Sequence, residues 1–347
     1  MRDLLFLFVL LCLLSVSLAG KPSKVEEKCL SVESRHDDSQ FVPEASLFVR
    51  TAGKKKTGHP TIVLIHGTSG SNEYMRCVQD QLSKDFFTVS IDLRGQGLSE
   101  QTSPEQIHYT HEVFADDVHE VLEKLHVSSN IVWIGVSLGG SIGLVYIDKY
   151  PGEVSHFMPL SAGPGLYRVP DCAKEEGCIE GSTCPICWKN SIPVGGNPTT
   201  LFPETCQDEL VPAKEKVVQN QQRASAVVGP NIIPYSWTED LRPLLSSVKI
   251  PTLIGYGSFD PLQPEGGSSK FMHQEIDNSV LVKFVGKGHL MTITDPSNVV
   301  ALTHALLDQN FISDQITVFD RGCEVCAEVK PTNMTLICSS RTCNTQL

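Results

Sequence analysis

A run of strand-like apolar residues, Ile131-Val132-Trp133-Ile134, breaks at Gly135, and a single serine, Ser137, stands midway between Gly135 and Gly139. No other stretch constrains the fold as tightly. Glycine two residues to either side lets the chain turn sharply from strand to helix without side-chain clash. The serine is then pushed out beyond the strand in a strained conformation. Residues 141–146 are mostly small and apolar and can open a helix. The free N–H groups of such a helix point back at the serine and favour negative charge there. A glycine-containing helix start in any α/β protein would explain the five residues alone, so the rest of the chain has to decide.

The chain has 347 residues, enough for one large α/β domain with an insertion or for two domains. A net charge of -12 argues against nucleic acid or an anionic membrane as partner. Residues 4–14 are unbroken apolar, and Ser17 and Ala19 supply the small residues of a cleavage site, although Asp3 offsets Arg2. Residues 1–20 therefore read as a secretory signal peptide, too short to span a membrane, and the expected location is the secretory lumen or outside the cell. Twelve cysteines include Cys12 in that signal. Five others cluster at Cys172, Cys178, Cys184, Cys187 and Cys206, and four at Cys323, Cys326, Cys338 and Cys343, while Cys29 and Cys77 stand apart. The Cys-x-x-Cys pairs could be read as zinc ligands, but in an exported chain disulfides are the better expectation. The odd number remaining leaves one thiol over, and Cys77, in a stretch that reads as buried helix, is expected to be that one. Asn333-Met334-Thr335 is a glycosylation acceptor.

Taken in order, residues 41–42 and 47–49 suggest antiparallel edge strands. Residues 61–65 form a continuous apolar run, as a strand covered on both faces requires, and lead into His66-Gly67-Thr68-Ser69-Gly70-Ser71. A helix is expected over 72–82 and a strand over 86–91, ending in Asp92-Leu93-Arg94-Gly95-Gln96-Gly97-Leu98-Ser99, a pinned turn. From Thr110 the spacing of Phe114, Val118, Val121, Leu122 and Leu125 is helical. His108, His111, His119 and His126 in or beside it are expected on its solvated face. A short strand is expected at 156–161. Regular order then lapses over residues 163–243, which read as a disulfide-stapled insertion able to cover the serine. Strands return at 250–257, ending in Ser258-Phe259-Asp260-Pro261, and at 279–285, ending in Gly286-Lys287-Gly288-His289. Residues 271–276 read as a helix, Pro296 opens a final helix to 307, and residues 311–347 are a cysteine-rich tail. Strands alternating with helices imply an α/β fold, a doubly wound, mainly parallel sheet whose core is residues 21–162 and 244–310.

Ser137, Asp260 and His289 each follow a strand, at the sheet edge where ligands bind in open α/β folds. A serine hydroxyl needs a base to take its proton, histidine suits that work near neutrality, and a carboxylate fixes the ring's tautomer. Asp295 is a rival acid, better explained as a helix cap before Pro296.

The motifs His66-Gly67-Thr68, Asp92 to Ser99, Gly135-Val136-Ser137-Leu138-Gly139-Gly140, Gly257-Ser258-Phe259-Asp260 and Gly288-His289 together resemble the α/β-hydrolase superfamily over about residues 41–310. The resemblance implies that Ser137 is nucleophile, His289 base and Asp260 acid, with an oxyanion hole from the N–H groups of Leu138 and Thr68. It implies that residues 163–243 are the family's cap. Gly-x-Ser-x-Gly-Gly and Gly-His-Leu look like the branch of small-ester, lactone and enol-lactone hydrolases, and serine rather than aspartate as nucleophile excludes dehalogenase and epoxide-hydrolase chemistry. The expectation is a secreted serine esterase acting on a small-molecule ester or lactone, with no cofactor and no metal. The alternatives are a peptidase or acyltransferase on the same triad, and a ligand-binding protein that keeps the fold without turnover.

Overall fold

The computed structural model describes residues 24–37, 39–103, 105–165, 239–263, 266–309 and 313–318, single positions at 219, 231 and 232, and the backbone of 335–338 and 343–346. The expected signal peptide, the five-cysteine cluster and Asn333 lie outside the described residues. Along the chain the strands are β1 (Val25–Val32), the short β2 (Arg35–His36) and β3 (Phe41–Val42), β4 (Ala45–Ala52), β5 (Thr61–Ile65), β6 (Phe87–Ile91), β7 (Ile131–Val136), β8 (Val154–Leu160), β9 (Thr252–Gly257), β10 (Ser279–Phe284) and β11 (Gln315–Val318). Two further short strands, β12 (Thr335–Cys338) and β13 (Cys343–Gln346), pair with each other. Nine strands make one sheet in the order β1-β4-β6-β5-β7-β8-β9-β10-β11. Every pairing from β6 through β11 is parallel, and β1 and β4 are antiparallel additions at one edge.

The continuous apolar strands are buried on both faces, and alternate residues serve opposite layers. Ile62, Leu64, Val132 and Ile134 join a core with Val78 and Leu82 of helix α1 (Arg76–Leu82). Val63, Ile65, Ile131 and Trp133 join the other core. There they meet Val118 and Leu122 of α2 (His111–Lys124), and Ile142 and Tyr146 of α3 (Leu138–Lys149). Helices α4 (Gly267–Glu275), α5 (Met291–Thr294) and α6 (Pro296–Asp308) complete the layers. This is the doubly wound, mainly parallel α/β fold expected.

Three local expectations are corrected. The edge strand is β1, which pairs with β4 along its whole length and leaves all eight β4 residues buried. Its exposed Glu26 and Glu27 and half-buried Lys28 obscured it in the sequence, and such charges protect an edge from further pairing. The histidines near α2 are not uniformly solvated. His108 and His126 are exposed, but His111 is buried with Nδ1 2.7 Å from Glu239 Oε2, and His119 lies flat on Tyr150 at 3.7 Å. Cys77 is not the spare thiol, because it and Cys29 are each disulfide-bonded.

Gly165 forms an antiparallel bridge with Asp240, and the Leu241 N–H donates to Pro164 O at 2.9 Å. The two ends of the chain on either side of residues 166–238 therefore meet at one point of the core.

Candidate active site

Ser137 leaves β7 with φ 53° and ψ -118°, a conformation that L-residues avoid and that persists only where its surroundings enforce it. The two glycines allow it. A side chain on Gly135 would overlap the backbone of Gly139 and approach Gly140 N to 2.5 Å. One on Gly139 would overlap Ile65 O and lie 2.7 Å from His66 O. The Trp133 indole holds the turn from below, its Nε1–H donating to Gly139 O at 2.9 Å, and the Ser137 N–H donates to Leu160 O at 2.9 Å. The serine is half-buried, at the N-terminus of the twelve-residue α3.

Asp260 follows β9 and is buried, its Oδ1 accepting the N–H groups of Leu262 at 2.9 Å and Gln263 at 3.3 Å. His289 follows β10, and its Nδ1 lies 3.0 and 2.9 Å from the two Asp260 oxygens. A carboxylate there fixes the proton on Nδ1 and leaves Nε2 as the free base. Burial by itself would raise the Asp260 carboxyl, but the His289 ring and its hydrogen bond, with help from Ser161 and the Leu262 N–H, hold it below the ordinary value. The two loops are also tied through their backbones. The Phe259 N–H donates to Lys287 O, and the Gly286 N–H donates to Ser258 Oγ, both at 2.9 Å.

The structure thus brings Asp260 and His289 into contact and sets Ser137 at the same strand-end edge, with β8 between β7 and β9. Among the described residues no hydrogen bond joins Ser137 Oγ to His289. Such bonds are commonly long in unliganded sites and tighten with substrate. Asp295 occupies the N-cap position of α6, where its Oδ2 accepts from Asn298 Nδ2 at 2.9 Å.

Thr68 sits in a tight turn closed by the Gly70 N–H on Gly67 O at 3.1 Å. That turn runs against the serine, since a side chain on Gly67 would lie 3.0 Å from Ser137 Cβ. Leu138 is the first residue of α3, so its N–H has no intrahelical acceptor. Behind them His66 is fully buried. Its Nε2 accepts the Leu93 N–H at 3.0 Å, so Nδ1 carries the proton and donates to Gly67 O at 2.7 Å. Burial drives its pKa down from 6.5 to about 4, against the opposing pull of the Gly67 carbonyl. Asp92 anchors the neighbouring turn by accepting from Asn72 N at 2.5 Å, Asn72 Nδ2 at 2.9 Å and Leu98 N at 2.7 Å. Burial nevertheless raises its carboxyl from 3.8 to about 6.

Ser161 went unnoticed in the sequence. It follows β8 with φ 47°, is buried, and leans its hydroxyl toward Asp260 without completing a hydrogen bond. A lone serine after a short strand carries no signal that could have found it. Among the described residues no group of three or more His, Cys, Asp or Glu is disposed to hold a metal ion.

A family model described as alpha/beta hydrolase fold matches residues 60–174. An AB hydrolase superfamily protein, YisY, of Bacillus subtilis is 29% identical over 259 residues, which is 70% of this chain and 88% of that protein. A pimeloyl-[acyl-carrier protein] methyl ester esterase of Nitrosomonas europaea is 24% identical over 271 residues, covering 76% of this chain and all of that one (100%). Among solved structures, a thermophilic esterase from Thermogutta terrifontis superposes with a TM-score of 0.61 at 21% identity, over 81% of this chain and 98% of its own.

Proposed function

Because this chain belongs to the α/β-hydrolase superfamily, we propose that it is a serine hydrolase cleaving small-molecule carboxylic esters or lactones through Ser137, His289 and Asp260. The observation that carries the reading is the Asp260–His289 contact at 2.9 Å, at the strand-end edge that also bears a serine held at positive φ. Ser137 Oγ attacks the substrate carbonyl while His289 Nε2 takes its proton. The developing oxyanion is received by the N–H groups of Leu138 and Thr68, fixed donors that need no reorganisation at the moment of reaction. His289 returns the proton to the leaving oxygen, an acyl group remains on Ser137, and a water activated by the same ring releases it. Asp260 keeps the ring's tautomer and stabilises the imidazolium. The methyl ester esterase among the relatives supports an ester substrate. Export through a signal peptide at residues 1–20, disulfides in the 163–243 insertion and the 311–347 tail, and a glycan at Asn333 belong to the same proposal and rest on the sequence alone.

A fluorophosphonate probe tests the reading. At neutral pH it is expected to label one residue, Ser137. Ser137→Ala is expected to fold, to escape labelling, and to hydrolyse short acyl esters roughly 10³- to 10⁶-fold more slowly. Wild-type protein that binds a small carbonyl compound but is never labelled at Ser137 would leave only the fold standing.

A further inference from the structure

The turn that carries Thr68 is held by a side chain from outside it. The Ser69 N–H donates to Gln96 Oε1 at 2.6 Å, which ties this turn to the loop after β6. Ser69 itself is at φ 61°, a conformation a serine does not adopt unaided. Gln96 is 0% exposed and stands on a rigid base. Its own N–H donates to Leu93 O at 3.0 Å, its carbonyl accepts the Ser99 N–H at 3.1 Å, and Asp92 ties the same loop to Asn72 and Leu98. The amide's orientation is decided by its partner, because a backbone N–H can be met only by the oxygen.

That orientation leaves Gln96 Nε2 buried with no hydrogen-bond partner. A buried unpaired amide donor is a liability to stability that an apolar side chain of the same length would not carry. Departures of this kind concentrate where a fold gives up stability for a site. The peptide that Gln96 grips joins Thr68 to Ser69, and the next peptide upstream, Gly67–Thr68, carries the Thr68 N–H; a side chain on Gly67 would lie 3.0 Å from Ser137 Cβ.

Resting on the hydrolase reading above, we propose that Gln96 is a positioning residue which holds the Thr68–Ser69 peptide so that the Thr68 N–H is aimed at the oxyanion. It does not touch substrate. Its effect is confined to the transition state, where the oxyanion forms, and is absent from ground-state binding.

The test compares Gln96→Met, which removes the acceptor, Gln96→Asn, which withdraws it by one methylene, and Gln96→Glu, which keeps an oxygen in place whether ionised or not. Each is measured for kcat and KM on a short acyl ester, for inhibition by phenylboronic acid, which forms a tetrahedral adduct with an active serine, and for thermal stability. In Met and Asn kcat is expected to fall roughly 10- to 100-fold. KM should stay within about twofold and the boronate should weaken by the same factor as kcat. The Met variant should melt near wild type, since the lost Ser69 bond is offset by removal of the orphaned donor. Glu should recover most of kcat and of boronate affinity. A folded Asn or Met variant with wild-type kcat overturns the proposal. So does a folded Glu variant as impaired as Met, or losses of kcat that track melting temperature across the three. If Met and Asn both fail to fold, the structural role alone is upheld and the proposal falls. Wild-type protein that neither labels at Ser137 nor hydrolyses esters fails the hydrolase reading itself, whereas active wild-type protein indifferent to Gln96 fails this inference alone.

Discussion

Replacing Gly135 by alanine tests the serine turn directly. The new methyl would overlap the Gly139 carbonyl group and lie 2.5 Å from Gly140 N, all of it backbone at the start of α3. Ordinary carbon contacts begin near 3.4 Å, so relief requires a shift of about 1 Å in the turn that carries Ser137. No flexible side chain is there to give way. Overpacking of this kind costs about 3 kcal/mol, or a fall in melting temperature of about 4 °C for a chain of this size. A displacement of about 1 Å at a reacting atom costs on the order of 10²-fold in rate. Gly267→Ala is the control, because nothing lies within 4 Å of its added methyl in the helix α4. It is expected to stabilise by about 0.5 kcal/mol through the unfolded state and to leave kcat alone. Fluorophosphonate labelling rate and thermal melting, read on both variants, decide the matter. Gly135→Ala that labels at the wild-type rate with an unchanged melting temperature would refute the geometry of the turn.

Asp260→Asn leaves shape intact but removes the carboxylate that fixes His289 Nδ1–H, so kcat is expected to drop about 10⁴-fold with little change in melting temperature; a loss under tenfold would return the role to another acid. Two buried groups behind the site are expected to oppose each other in acid. For His66 the folded value, about 4, lies below the ordinary 6.5, so its contribution is present above 6.5 and is lost as pH falls through about 4. That loss is about 2.4 kcal/mol between pH 7 and pH 4.5. For Asp92 the folded value, about 6, lies above 3.8, so its contribution is fully present below 3.8 and is lost as pH rises through about 6, a swing of about 2 kcal/mol between pH 4.5 and 7. Urea melts at those two pH values should show His66→Asn losing less stability than wild type on acidification and Asp92→Asn losing more; parallel behaviour of all three would show that neither group titrates as its burial requires.

What the sequence determined by itself is local and periodic. The continuous apolar runs at 61–65 and 131–136 are strands because only a sheet covered on both faces buries every residue of such a run. Gly135 and Gly139 announce a turn that a larger side chain would block. The order of Ser137, Asp260 and His289, each after its own strand, assigns them to one sheet edge. The tertiary structure decided what depends on partners distant in the chain. Strand β1 is polar and unremarkable until Ala45–Ala52 offers it an edge. His111 looks solvated until Glu239, 128 residues later, sets its carboxylate on the buried ring. Ser161 has no motif of its own, and Gln96 stands within Asp92 to Ser99 with nothing in that motif to name its partner. Each matters only because folding sets it against Asp260 or against the Ser69 N–H, and proximity between separate loops is not written in the spacing of either one.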